Sequence, residues 1–349
     1  MGTFTVAEVE NIANSTLDFY LERRKVEEQT VQDKPLLKAL RAAEKTFPGG
    51  KENLTGAAKF DYTTTIQGFE NDDEVSYANP TNTKRYSYPW KLIHAGIQFS
   101  MHECAKDGIS ITDTTTGKGE SEHSDRELTA LVNILQEKFE DMAEGMDRGF
   151  NNMYWGDGSA DPKLVPGVRS FILDDPTSAT VVGGLDQSSI SGWRNRASLG
   201  LNASAPADQV VTTKLQKELR QLRRYNGGDP KLWLAGSDFI EALEKEIRSK
   251  GYYSEEGFNS KGKTDTGMAD IYFKKNPIQY DPTLDDLGRS KYLYVMDTKF
   301  IQPYVVDGEN MKKHNPARPE NKYVFYRAQT YMGGLVCKRR NSCGVYSIA

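Results

Sequence analysis

The 349-residue sequence predicts an α+β protein of about two domains. Three observations carry this prediction. A capping box at Ser124 opens one unusually long amphipathic helix, two earlier segments alternate apolar and polar residues with period two, and the chain after residue 207 alternates helix and strand patterns. The stretch 174–207 is rich in Ser, Gly, Asp and Thr, so we place a domain boundary there.

The composition excludes several classes of protein. With 37% hydrophobic and 27% charged residues, the chain is too polar for a membrane protein and too apolar for a disordered one. The 45 Lys and Arg against 49 Asp and Glu leave a net charge of -4, which argues against a protein whose main task is to bind phosphate backbones. Three cysteines give no disulfide framework, and we find no signal peptide or apolar run of membrane-spanning length, so we expect synthesis in the reducing cytoplasm.

The first 50 residues predict two short helices. Thr5 and Glu8 form a capping box before an apolar stripe that extends to residue 17, and a second helix is predicted over 35–47, from Pro35 to the Pro-Gly-Gly that follows Phe47. Neither helix is long enough to bury its stripe alone. We therefore expect both to need a surface elsewhere, such as another subunit.

A projecting arm is predicted next. Segments 60–66 and 93–101 alternate as half-buried strands, and the connection 67–88 between them is too long for a compact domain. We interpret it as a β-hairpin arm with a charged tip that reaches a neighbouring subunit. The residues that we expect to make intersubunit contacts are Glu70, Asp72, Asp73, Glu74, Lys84 and Arg85.

The long helix is predicted over about 125–154, which at about 1.5 Å per residue spans about 45 Å. Its apolar stripe includes Leu135 and Phe139 and ends near the Gly-Asp-Gly turn at 156–158. Beyond the boundary, we predict helices over 208–225 and 237–251 around a strand at 231–235, then strands at 269–274, 291–306, 323–336 and 343–348.

Few residues suggest a catalytic or metal-binding site. His94, His102, Glu103 and Cys104 are ligand types that zinc prefers, but two histidines eight residues apart on one extended strand would be about 27 Å from each other. We therefore favour solvated strand residues, and a metal-dependent hydrolase that uses His94, His102 and Cys104 stays the alternative from another class. No phosphate loop or nucleophile elbow is present, and we predict no catalytic residue, no cofactor and no metal.

The C-terminal region offers two further candidates. Cys337 and Cys343 flank what reads as a hairpin turn, where either a disulfide or, as a cytoplasmic protein favours, two free thiols would fit. A basic tract could contact nucleic acid or pair with the acidic arm tip of another subunit, and we favour pairing. Its members are Lys312, Lys313, Arg318, Lys322, Arg327, Lys338, Arg339 and Arg340.

The order of these elements resembles the major capsid proteins of tailed double-stranded DNA bacteriophages, which have the Hong Kong 97 fold. The resemblance covers nearly the whole chain. Local likenesses are the helix exit at 152–158 leading to Pro166-Gly167-Val168, the Trp233-Leu234 strand followed by a capped helix, and the ending formed by 331–337 with 341–345.

The resemblance implies an N-terminal arm at 1–56, an extended E-loop at 57–104, a P-domain at 105–180 containing the spine helix, and an A-domain at 181–306. Residues 307–349 would return as P-domain strands and loop and close with an A-domain strand. It implies a non-enzymatic shell protein of the virion, assembled in the host cytoplasm. Its partners would be copies of itself in hexamers and pentamers, a scaffold, a portal, in some systems a cement protein, and packaged DNA held by weak contacts, with no membrane. An encapsulin-like bacterial compartment is the alternative within this fold, and a nucleic-acid-binding protein is a third reading.

Overall fold

The computed structural model describes residues 4–5, 9, 12, 32–77, 79, 81–106, 111–112, 125–202, 210–224, 229–249, 271–274, 276–314, 316 and 322–349. The helices of these residues are α1 Pro35–Ala42, α2 Met101–Lys106, α3 Asp125–Trp155, α4 Val168–Phe171, α5 Val211–Arg223, α6 Ser237–Ser249 and α7 Pro282–Asp286. The strands are β1 Phe4–Thr5, β2 Lys45–Phe47, β3 Asn53–Lys59, β4 Thr83–Pro89, β5 Lys91–Ser100, β6 Ile111–Thr112, β7 Val181–Val182, β8 Leu185–Asp186, β9 Arg196–Leu201, β10 Leu232–Ala235, β11 Ile271–Phe273, β12 Asn276–Tyr280, β13 Tyr292–Met296, β14 Ile301–Val306, β15 Lys312–His314, β16 Val324–Cys337 and β17 Gly344–Ile348. None of the described helices is both long and apolar enough to cross a bilayer.

The chain divides into two compact units, of which the first comprises Met1–Gln32, Leu92–Phe150 and Gly308–Met332. In this unit β15 pairs antiparallel with β16, and β5 also pairs with β16. Side chains of β5 alternate between the two faces of the strand as the sequence predicts, and Phe99 stacks on Phe325 of β16 with 5.1 Å between ring centres.

The long helix is confirmed, because α3 extends over 31 residues, Asp125–Trp155. The predicted stripe is buried along the part whose side chains are described, which begins at residue 138. Phe139 is fully buried, and the ring of Phe150 meets that of Tyr331 edge-on at 4.9 Å. The predicted stripe residues before 138, Leu135 among them, lie outside the described side chains.

The second unit comprises Asp33–Lys91, Asn151–Asp307 and Gly333–Ala349. Its main sheet has the strand order β11-β12-β10-β13-β17-β9, with Trp233 of β10 opposite Val295 of β13. One apolar cluster forms the core of this unit and includes Leu215 of α5, Phe239 of α6 and Tyr346 of β17. The predicted alternation of helix and strand after residue 207 is therefore confirmed as an α/β unit.

A buried polar contact fixes the end of α3 inside the second unit. The Trp155 indole donates to the Asp281 carboxylate over 2.9 Å, and Asn151 donates to the Thr283 hydroxyl over 2.6 Å. Burial raises the pKa of Asp281, although the hydrogen bonds that it accepts from Trp155 and Thr283 oppose this shift. These contacts join the last turn of α3 to α7.

Four predictions about local structure are wrong. The single strand predicted over 291–306 is two strands, β13 and β14, which belong to different sheets. The helix predicted over 35–47 ends at Ala42, because 45–47 instead pair in parallel with β14 as β2. Residues 60–66 form no strand, and the arm's paired strands are 53–59 and 83–89. The strand predicted to run to residue 101 ends at Ser100, and Met101 begins α2. In each case, pairing with a distant segment or a local capping contact overrides the apolar periodicity.

The first predicted helix, over 5–17, lies almost entirely outside the described residues.

Replacing Phe139 by alanine should lower the free energy of unfolding by about 3–5 kcal/mol, because a fully buried ring would leave a cavity in the first unit. Urea unfolding of the purified chain measures this loss. Asp141→Ala, two residues along the helix and exposed, is the matched control and should change stability by less than about 0.5 kcal/mol. Equal stability of both variants would show that the stripe carries no core packing.

Candidate functional site

The candidate site is the arm, residues 53–89, whose root is a two-stranded ribbon. β3 and β4 pair antiparallel from Asn53 opposite Pro89 to Lys59 opposite Thr83. Gly56 lies opposite Tyr86, and a Cβ atom at Gly56 would come within 2.2 Å of the Tyr86 hydroxyl oxygen. Only glycine allows the tyrosine ring to lie across the neighbouring strand at this point.

Aromatic rings hold the root against the segment 171–195. The rings of Tyr86 and Trp193 stack with 5.9 Å between centres, and Phe60 meets Trp193 edge-on at 5.7 Å. Tyr88 packs edge-on against Phe171 at 5.1 Å. These contacts bury both tyrosines, and burial raises the pKa of each phenol.

The β7–β8 turn approaches the arm closely enough to require glycine. Gly183 has φ +60°, in the left-handed region, and a Cβ atom there would lie 2.8 Å from the Tyr88 ring. Its carbonyl accepts a hydrogen bond from the Ser87 amide over 2.9 Å. The adjacent Val182 carbonyl accepts from the Trp193 indole, also over 2.9 Å. The turn thus binds both the arm strand and the tryptophan on which the arm packs.

Arg340 lies beneath this tryptophan and is only 1% exposed. Its guanidinium donates to the Phe171 carbonyl over 2.7 Å, and its centre is 5.8 Å from the centre of the Trp193 ring. It also donates to the side-chain oxygens of Gln187 at 2.9 Å and Asn195 at 3.1 Å. Burial lowers the pKa of Arg340, yet the group keeps its charge because an arginine pKa starts far above neutrality.

Beyond the root, the arm continues as an extended loop whose end is closed by its own side chains. Gln67 donates to the Glu74 carbonyl over 3.1 Å, and its amide oxygen accepts from the Ser76 amide over 3.1 Å. Asp73 accepts from the Glu70 amide over 2.9 Å, and the Asp73 amide donates back to the Glu70 carbonyl. We call residues 67–76 the tip loop. Its conformation is set before any partner binds.

Large apolar side chains project from the arm into solvent. Ile66 is fully exposed, Tyr77 is 92% exposed and Tyr62 is 79% exposed, and Phe69 is also mostly exposed. Exposed apolar groups clustered on one projecting segment are typical of a surface that binds another molecule.

The predicted contact residues are all exposed, but they fall into two groups. Four carboxylates, those of Glu70, Asp72, Asp73 and Glu74, lie in the tip loop. Lys84 and Arg85 lie on β4, opposite Ala58 and Ala57. The structure therefore does not bring the basic pair to the acidic tip.

The metal-site alternative finds no support in the described residues. His94 lies on β5, whereas His102 lies on α2, so the premise that both share one strand is wrong. The Glu103 carboxylate forms an ion pair with Lys138 and accepts a hydrogen bond from the Ser100 amide. The side chain of Cys104 lies outside the described residues, and among the side chains that are described no three of His, Cys, Asp or Glu are placed to hold a metal ion.

The hairpin predicted between Cys337 and Cys343 is also wrong, because β16 pairs with β14 whereas β17 pairs with β13 and β9. Both thiols are free and buried. Burial raises the pKa of Cys337 and keeps it a neutral thiol.

The basic tract is not a continuous surface. Arg327 and Arg340 are buried, and Arg318 lies outside the described residues. Lys338 donates to Gln302 over 2.8 Å, and Lys312 pairs with Glu309.

Sequence reasoning missed the root contacts of Trp193, Arg340, Gln187 and Asn195. One signal was present, since Trp193 and Arg194 are the bulky residues of an otherwise small and polar stretch. The hydrogen bond from Arg340 to Asn195 could not be inferred from the sequence, because 145 residues separate the two along the chain.

No protein-family model matches the sequence, and no curated protein matches it either. Solved structures do match it. The capsid of cyanophage A-1(L) superposes with a TM-score of 0.66 at 14% identity, covering 93% of this chain and 94% of that one.

Two further structures give the same result. The capsid of Myoviridae phage XM1 has a TM-score of 0.54 at 11% identity, over 93% of this chain and 95% of that one. The capsid of a native GTA particle has a TM-score of 0.52 at 10% identity, over 94% and 96%. These likenesses establish the fold. The chain has the α+β capsid-protein fold of the Hong Kong 97 type, so the fold that the sequence predicts is confirmed.

Arg340→Met should lower the free energy of unfolding by roughly 2–4 kcal/mol, because it leaves the buried Phe171 carbonyl and the Gln187 side-chain oxygen without the guanidinium donor and removes one of the two donors to Asn195. Urea unfolding measures the loss. Arg85→Met removes the same group from an exposed position on β4 and should cost less than about 0.5 kcal/mol. If Arg340→Met is as stable as Arg85→Met, the buried guanidinium does not hold the root together.

Proposed function

We propose that this chain is a major capsid protein whose copies assemble into the icosahedral head shell that encloses double-stranded phage DNA. The fold supports this proposal, since it matches phage capsid structures over more than nine tenths of the chain. The observation that carries it is the arm, which is fixed rigidly at its root and presents solvent-exposed apolar side chains beyond it. Such a segment gains stability only when a neighbouring molecule covers it.

Under this proposal the parts of the chain take the roles that the sequence resemblance implies. Residues 1–56 are the N-terminal arm, 57–104 the E-loop, 105–180 the P-domain with α3 as its spine helix, and 181–306 the A-domain. Residues 307–349 return to the P-domain and close the A-domain. The function lies in the geometry of assembly, and the chain has no active site.

The proposed intersubunit contacts are made by the arm. Glu70, Asp72, Asp73 and Glu74 meet a basic surface of a neighbour through the tip loop, and Lys84 and Arg85 contact a neighbour from β4. The location is the virion, and the partners are other copies of the chain in hexamers and pentamers, a scaffold, a portal and a cement protein. The net charge of -4 keeps contacts with the packaged DNA weak.

Electron microscopy of the expressed chain tests the proposal. We expect closed icosahedral shells and, from infected cells, shells that protect double-stranded DNA from nuclease. Shells that enclose an enzyme instead of DNA would favour the bacterial compartment. A chain that stays monomeric under all assembly conditions would contradict the proposal.

The exposed apolar groups of the arm give a sharper test. Ile66→Ser combined with Tyr77→Ser should reduce the fraction of chain that sediments as particles about tenfold or more, since each side chain buried at an interface contributes about 1.5–3 kcal/mol. The stability of the isolated subunit should not change, because both side chains are exposed there.

Tyr272→Ser, at an exposed tyrosine outside the arm, is the control and should assemble normally. The proposal for the arm fails if the double variant assembles like the control. It also fails if a particle structure shows the arm folded against its own subunit and touching no neighbour.

A further inference from the structure

The ribbon at the root of the arm has one packed face and one open face. Tyr86 and Tyr88 lie on the packed face, where aromatic contacts bury both rings. Because side chains alternate between the two faces of a strand, Thr83 and Arg85 lie on the opposite face, as does Lys59, which pairs with Thr83. All three of these side chains are exposed. The open face of the ribbon therefore meets solvent within the described part of the subunit.

Three cations lie where the ribbon joins the rest of the arm. Lys59 and Arg85 are diagonal neighbours on the open face, about 7–8 Å apart, and Lys84 is exposed beside Arg85. The Lys59 amine lies 3.9 Å from the centre of the Tyr62 ring, and the Asp61 carboxylate accepts from the Tyr62 amide. Within the described part of the chain, no ion pair involves these three cations. We call them the basic end of the ribbon.

The tip loop, residues 67–76, carries the opposite charge. It has four exposed carboxylates and no Lys or Arg. Asp73 is used inside the loop, where it accepts from the Glu70 amide. The Asp72 and Glu74 carboxylates have no ion-pair partner among the described residues. Because the loop is closed by its own side chains, it loses little conformational entropy when it binds.

The two charged ends of one arm are separate surfaces. The Phe60 amide donates to the Asn82 carbonyl over 3.0 Å, and the Asn82 side chain donates to the Thr63 hydroxyl over 2.9 Å, so the two sides of the arm stay together beyond the ribbon. Residues 60–66, which lie between the two ends, contain Asp61 as their one charged side chain. No ion pair among the described residues joins the tip loop to the basic end.

The arm thus offers two complementary patches on one segment. Identical subunits form a ring through head-to-tail contacts, which need two different patches on each subunit, whereas a patch that binds its own copy gives a two-fold dimer. If the tip loop of one copy binds the basic end of the next, every subunit gives one contact and receives one. This is the kind of contact that hexamers and pentamers require.

The basic tract 312–340 is the rival receiver that the sequence suggests. Arg327 and Arg340 of this tract are buried, and Lys312 is neutralised by Glu309. The tract is therefore not one continuous surface, whereas the basic end of the ribbon places three exposed cations together.

We propose that the basic end of the ribbon is the docking surface for the acidic tip loop of a second copy of this chain, so that neighbouring arms bind head to tail. This inference rests on the proposed shell function and names the surface of the neighbour that receives the arm tip. Charge complementarity selects the pair and sets its register.

A charge exchange tests the pairing. Lys84→Glu with Arg85→Glu reverses the ribbon, and Asp72→Lys with Glu74→Lys reverses the tip while leaving Asp73 to hold the loop. Each pair alone places like charges together, so the particle fraction measured by sedimentation should fall about tenfold or more. All four substitutions together restore opposite charges, so assembly should recover to within about threefold of wild type.

The control is Lys163→Glu with Lys299→Glu, which makes the same change in charge at exposed positions outside the arm and should assemble normally. The defect of each single reversal should also shrink as salt rises from about 0.1 M to 1 M, because the screening length falls from about 10 Å to 3 Å. Unchanged thermal unfolding of every variant shows that the subunits remain folded.

Crosslinking tests the head-to-tail geometry without any change of charge. Asn71→Cys in the tip loop and Thr83→Cys on the ribbon, both exposed, are combined in one chain and treated with a short bismaleimide in assembled particles. We expect a series of covalent oligomers that ends at pentamers and hexamers on a denaturing gel. Asn71→Cys with Lys163→Cys, and wild type with its native cysteines, are the controls and should give no such series.

The inference is overturned if the fourfold variant assembles no better than either reversal, or if the crosslinked chain stops at dimers, which would indicate a two-fold contact. A tip reversal that blocks assembly beside a ribbon reversal that assembles like wild type would place the receiving surface elsewhere and would equally overturn it. If wild type forms shells and these tests fail, this pairing alone is wrong. If wild type forms no shells, the proposed function is wrong as well.

Discussion

The packing of Trp193 between the aromatic side chains of the arm and the guanidinium of Arg340 is the contact on which the candidate site depends. An indole can be buried here because its nitrogen donates to the Val182 carbonyl. The charge beneath it can be buried because three oxygens accept its hydrogen bonds. Without this arrangement the paired strands at the root would form an isolated ribbon, which is marginally stable in water.

The rigid root lowers the entropy that the exposed part of the arm would lose on binding a neighbour. Side chains on a freely moving loop would lose much entropy on binding, whereas the ribbon and the bridging amide of Gln67 restrict the arm before a partner arrives. The same segment exposes Ile66 and Tyr77 completely or nearly so, which is costly for a subunit that stays alone. Rigidity and apolar exposure together are what a subunit requires if it is to be stabilised by its neighbours.

The two compact units supply stability of different kinds. In the first, one stripe of α3 is buried along the part whose side chains are described, and helix periodicity dictates which residues face inward. In the second, a mixed sheet is covered by α5 and α6, and their outer faces remain polar. The core positions of α5 are filled by leucine and valine.

The sequence by itself determined the features that repeat locally. The length of α3, the alternation of β5, the α/β order after residue 207 and the existence of an arm with an acidic tip all follow from periodicity, capping residues and charge within a short window. The capsid fold could be predicted because the order and length of these elements resemble those of a known family.

Tertiary structure alone decided which segments meet. The apolar pattern at 60–66 predicts a strand, but it is 53–59 that pairs with 83–89, and Gly56 leaves room there for the Tyr86 ring. Arg327 and Arg340 look like surface charges in sequence, yet both are buried, and Arg340 has its acceptors in segments more than a hundred residues away. Local patterns report what a residue prefers, whereas burial depends on partners supplied by distant parts of the chain, and these become neighbours only when the chain folds.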